Sequence, residues 1–97
     1  MQDIRVAAIS INSPLGDISG VLEGVEQWTR QATEQGAELL LFPELQIVGH
    51  CTPNTWDLAE QVPEGASTQR VVEIARKYNC YISIGISEKE RDIVFNT

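Results

Sequence analysis

The chain has 97 residues, 42% of them hydrophobic and 22% charged, a balance that fits one small globular domain and excludes a disordered polar tract. Its net charge of −7, with no clustered Lys/Arg stretch, excludes nucleic acid as an electrostatic partner. No apolar run is long enough to span a membrane. The opening segment carries Asp3 and Arg5, and Ser10 interrupts its apolar run, so neither a membrane partner nor a signal peptide is expected and the protein is placed in the cytoplasm.

In chain order, Ile4–Ile11 reads as a first strand, apolar on both faces as a covered parallel strand would be. Asn12-Ser13-Pro14-Leu15-Gly16-Asp17 is a turn. A helix follows, with Asp17 or Ser19 as N-cap and Gly36 as its stop. Ile18, Val21, Leu22, Val25, Trp28 and Ala32 recur at helical steps and predict one buried stripe, opposite Glu23, Glu26, Arg30 and Glu34. Gly20 and Gly24 each lower helix propensity by about 1 kcal/mol relative to Ala. Leu39-Leu40-Leu41-Phe42 then reads as a strand covered on both faces, and Pro43, which has no N–H for a sheet ladder, ends it.

Beyond His50 the pattern loosens. Thr52-Pro53-Asn54-Thr55 has turn chemistry, with Thr55 capping a short helix through Trp56, Leu58 and Ala59. Val62-Pro63-Glu64-Gly65 is a second break. The next helix starts near Ser67 or Thr68, buries Val71, Val72, Ala75 and Tyr78, and stops at Asn79. Tyr81–Ser87 alternates strictly, with Ile82, Ile84 and Ile86 on one face and Tyr81, Ser83, Gly85 and Ser87 on the other. The small residues of that second face would suit close packing of another sheet. Glu88–Asp92 reads as a hairpin turn with a solvated charge cluster, and Ile93–Phe95 as the opening of a further strand. The chain is therefore expected to stop in mid-sheet.

Glu44 is the candidate with chemistry. It follows a buried strand at the C-terminal mouth, where open α/β folds place ligand crevices. A carboxylate there can be partly desolvated and raised toward the range useful to a general base. The plain alternative is a solvated loop residue. His50-Cys51 is a weak dyad, because neighbouring side chains of an extended segment point apart. His50, Cys51 and Cys80 lack the number and spacing of metal ligands, so no metal is expected. Lys77 lies four residues after Glu73, the spacing of an exposed helical pair, and Lys89 falls in the charged turn. His50 and Trp56 are candidates for the pocket wall, the former because it follows Glu44 closely.

The order and spacing of these pieces resemble the N-terminal part of the nitrilase, or carbon–nitrogen hydrolase, superfamily. The resemblance is carried by Phe42-Pro43-Glu44 with its following apolar stretch and Gly49, by the Gly85 strand, and by Phe95-Asn96-Thr97. It covers essentially every residue and implies an α/β fold, the N-terminal portion of an α-β-β-α sandwich, with residues 1–97 a partial domain. It implies that Glu44 is the general base of a Glu–Lys–Cys set whose lysine and cysteine lie beyond Thr97. By resemblance, a cysteine thiolate attacks an amide or nitrile carbon, the glutamate shuttles the proton and a lysine steadies the tetrahedral intermediate. The implied substrate is a small amide, an N-carbamoyl compound or a nitrile, with amides favoured, no cofactor, and a homo-oligomer.

Two other readings stand beside it. One is a non-catalytic α/β fragment or interaction module, with an unpaired sheet edge beyond Phe95 that promotes self-association. The other is a receiver-like or flavodoxin-like domain. Against that one, only Asn12 and Ser13 follow the first strand, with neither an acidic cluster nor a Gly-rich phosphate loop.

Overall fold

A computed structural model describes residues 3–12, 14–49 and 55–97. Three short strands, β1 (Val6–Ala8), β2 (Leu39–Leu41) and β3 (Tyr81–Ser83), form a parallel sheet in the order β1-β2-β3. Val6, Leu39 and Tyr81 share one level, Ala7, Leu40 and Ile82 the next, and Ala8, Leu41 and Ser83 the third. Parallel neighbours need crossover connections, which α1 (Ile18–Glu34) and α3 (Ala66–Lys77) provide. Between them lies the short α2 (Thr55–Leu58), and β4 (Ser87–Glu90) pairs with β5 (Ile93–Asn96) as an antiparallel hairpin.

The pleat sorts the sheet into two unlike faces. Leu40 and Ile82 face the helices, where Val21 and Val25 of α1, Ile74 of α3, Leu40 and Phe42 form one core. The opposite face is open: Val6, Leu41 and Tyr81 are 50%, 40% and 78% exposed. The two-sided burial expected for the first two strands is therefore not supplied by this chain. The first strand is also shorter than the expected Ile4–Ile11, since its pairing with β2 is confined to three register pairs.

A second core joins Ile47 and Val48, just after β2, to Val71 of α3 and Ile86 ahead of β4. It anchors the segment carrying Glu44. The expected single strand Tyr81–Ser87 is split, with Ile84–Ile86 outside both strands. There the backbone turns its hydrogen bonds to other partners: Ile86 N–H donates to the Thr97 carbonyl, and Gly85 N–H to that of Pro43.

Asp17 is the N-cap of α1, its carboxylate accepting from Gly20 N–H at 3.1 Å, and Gly36, at φ 91°, follows the helix end as expected. Of the expected stripe, Trp28 is 42% exposed, while its neighbour Thr29, outside that stripe, is fully buried. In α3 Ile74 rather than Val72 or Ala75 is the buried residue beside Val71. Gly65 precedes this helix without a side-chain cap, and the Glu60 carboxylate substitutes, accepting from Ser67 N–H at 2.9 Å and from the Ser67 hydroxyl. Asn79 ends it at φ 52°, a conformation that asparagine tolerates.

Tertiary packing also redirects the expected helical ion pair. Lys77 Nζ meets Glu26 Oε2 of α1 at 2.8 Å, while Glu73 lies 3.7 Å from Arg70. Lys89 belongs to β4; the tight turn is confined to Arg91 and Asp92.

Candidate functional site

Glu44 emerges where β2 ends. Phe42 is still in the sheet, its N–H donating to the Ser83 carbonyl at 2.8 Å, and Pro43 then lets the chain leave. A compact turn follows: Leu45 takes φ 51°, Gly49 N–H donates back to the Leu45 carbonyl at 2.7 Å, and Gln46, Ile47 and Val48 are buried. Gly16 N–H reaches the Val48 carbonyl at 3.1 Å, which ties this turn to the loop before α1. Glu44 thus projects from a backbone fixed on both sides.

Its neighbour in the fold is the Gly85 segment. A Cβ at Gly85 would lie 2.3 Å from Leu45 N and 2.7 Å from Glu44 Cα, so only glycine permits this approach. From β5, Asn96 Nδ2 donates to Glu44 Oε1. Beside them lies a cleft of about 330 Å³ lined by Ile11, Asn12, Leu15, Pro43, Glu44, Leu45, Gln46 and Gly49. The carboxylate is exposed on its rim. The enclosure expected around Glu44 is not supplied by this chain, since the sheet face at that end is open.

The other candidates are not gathered there. Trp56 is 67% exposed on α2 and does not line the cleft. His50 and Cys51 lie outside the described residues. Cys80 lines a separate hollow with Val72, Ala75, Arg76, Asn79 and Tyr81, and burial pushes its thiol up, away from the thiolate form. Lys77 is engaged on the helical side, and Lys89 stands outside the cleft lining. Among the described residues no group of three or more His, Cys, Asp or Glu side chains is arranged to hold a metal ion. Asn96 is the partner that the sequence marks only through the terminal Phe95-Asn96-Thr97, which carries no sign of the side chain it meets.

Fold and site together describe a helix-covered parallel sheet that delivers a carboxylate at the end of a central strand. The family profile of carbon–nitrogen hydrolases matches residues 5–97, and the chain belongs to that family. It is 28% identical to a nitrilase of Pyrococcus abyssi over 97% of its length, and 36% identical to an ω-amidase of Bos taurus over 70%. It spans only 37% and 25% of those two relatives. Among solved structures, an amidase from Nesterenkonia sp. superimposes over 90% of this chain and 33% of its own, with TM-score 0.80 and 25% identity. A CN-hydrolase superfamily protein from Xanthomonas campestris covers 99% of this chain and 35% of its own, with TM-score 0.84; its 19% identity makes this a likeness of fold. No helix among the described residues is long and apolar enough to cross a membrane.

Proposed function

We propose that these residues form the part of an amide-hydrolysing carbon–nitrogen hydrolase that carries its general base, Glu44. The observation that carries the reading is the placement of Glu44: a carboxylate at the mouth of β2, held by a buried turn and facing a cleft, in a chain of this family. By the chain's membership of this family, the oxyanion-stabilising lysine and the nucleophilic cysteine are assigned to residues beyond Thr97; among the described residues neither lysine and no cysteine lines the cleft.

The proton inventory follows from the chemistry. Glu44 takes the proton of the cysteine thiol as the sulfur bonds to the amide carbon. It then gives that proton to the departing nitrogen as the C–N bond breaks, leaving a thioester. Water attacks the thioester carbon and loses a proton to Glu44, which returns it to the departing sulfur. A lysine ammonium stabilises the negative oxygen at both tetrahedral stages. None of these steps requires a metal or an organic cofactor. The substrate is assigned as a small amide or N-carbamoyl compound in preference to a nitrile. Relatives named as amidase and as nitrilase both occur, and the ω-amidase has the higher identity of the two quoted above. His50 stays as a proposed wall residue; Trp56, which lies outside this cleft, is proposed to join the pocket only in the complete enzyme, and the enzyme is proposed to act as a homo-oligomer in the cytoplasm.

The test is Glu44→Gln in the complete enzyme. This substitution keeps the shape and removes proton transfer, so kcat on a small amide falls by about 10²–10⁴-fold while the variant melts like the parent. Unchanged turnover removes Glu44 from the mechanism. A parent that turns over nitriles faster than amides reverses the substrate assignment alone.

A further inference from the structure

Three segments far apart in sequence lie side by side at Glu44. Gly85 N–H donates to the Pro43 carbonyl at 3.2 Å, and Ile47 N–H donates to the Gly85 carbonyl at 3.3 Å. Ile86 and Thr97 exchange both backbone hydrogen bonds, at 2.8 and 3.0 Å, which ties the end of β5 to the same segment. Asn96, the last residue of β5, is thereby brought to Glu44 across 52 positions of sequence, and its Nδ2 donates to Glu44 Oε1. Both side chains are exposed and have water as an alternative partner. They pair because two fixed backbones deliver them to one another, and only the N–H edge of the amide can face a carboxylate.

The chemistry of that pairing is specific. An oxygen that accepts from an amide N–H can do so as part of a carboxylate, or as the carbonyl oxygen of the neutral acid. The contact therefore survives protonation only when the proton sits on the other oxygen. A lysine or arginine in the same place would impose a full positive charge and hold the carboxyl ionised, weakening it as a base. A neutral amide orients it at a smaller penalty, since its N–H also favours the carboxylate but carries no net charge. We propose that Asn96 is a positioning residue for Glu44: it engages Oε1 throughout the reaction and directs every proton exchange to Oε2. This inference rests on the reading of Glu44 as the general base.

The experiment uses the complete enzyme and compares Asn96→Ala, Asn96→Asp and Glu44→Gln on the same small amide. Loss of a hydrogen bond to a charged group predicts that N96A lowers kcat by about 10- to 100-fold with little change in KM. N96D keeps the shape and the packing but replaces the donor with a second carboxylate, so its kcat falls at least as far. A role in shape alone would be preserved by this isostere, and N96D keeps the test usable should N96A unfold. Wild-type kcat in N96D overturns the proposal, as does a loss in either variant that lies in KM rather than kcat. E44Q separates the two ideas. If E44Q is inactive while the Asn96 variants turn over normally, only the role of Asn96 fails; if E44Q is fully active, the base assignment fails and the inference with it.

Discussion

Glu26 shows how one side chain is set by elements that meet only in the folded chain. Lys77 Nζ at 2.8 Å, Tyr78 OH at 3.0 Å and Arg70 all converge on its carboxylate at the α1–α3 contact. Lys77, then Tyr78 and Arg70, hold that carboxyl at about 2, below its ordinary value of 4.5. The folded form thus binds the proton more weakly than the unfolded chain does. The stabilisation is complete above about 4.5 and is lost as pH falls from there through about 2. Glu26→Gln should therefore lower the melting temperature at neutral pH, with the gap to the parent closing on acidification across that window. A gap that stays constant from pH 6 to about 2 would show that the carboxylate adds nothing ionic. The spacing of Glu73 and Lys77 pointed to a local pair instead. Local spacing registers only the residues of one helix, whereas Lys77 finds Glu26 because α3 lies against α1.

At the scale of elements, what was legible follows from periodicity and from end signals. The cap at Asp17, the stops near Gly36 and Asn79, the helix-flanked strands and the turn after Pro43 are all local properties, and each recurs in the structure. The split of Tyr81–Ser87 was not legible, because its alternation is that of a strand and the departure is imposed from outside, by the Glu44 turn pressing on Gly85. The placement of Glu44 at a strand mouth was readable from Phe42-Pro43-Glu44. Its contact with Asn96 was not, since it depends on how the hairpin docks. Two glycines make the distinction measurable. Gly24 has nothing within 4 Å of an added Cβ and sits inside α1, so Gly24→Ala should stabilise by about 0.5–1 kcal/mol. Gly85→Ala drives a methyl into backbone and should cost at least about 1–3 kcal/mol, with the turn at Glu44 displaced. Denaturant melts of the two variants give opposite signs on this account; a neutral Gly85→Ala would mean that the close approach is not required.

For the whole molecule, the decisive asymmetry is a sheet with one covered and one open face. Val6, Leu41 and Tyr81 form that open face, and β1 and β3 are the edges of the three-stranded sheet. A polypeptide of these 97 residues alone should therefore self-associate at roughly micromolar-to-millimolar concentration. Its net charge of −7 opposes close approach of two copies, so the association should strengthen as added salt screens that repulsion. Association through charged pairs would weaken under the same change, which makes the sign of the salt effect diagnostic. Leu41→Lys together with Tyr81→Lys places charge on the open face while leaving Leu40 and Ile82 packed on the helices. Sedimentation should then report a monomer, with the helical circular dichroism of the parent retained. A parent chain that is monomeric at every concentration and salt, and that binds no apolar dye, would show that the open face does not drive contact between copies.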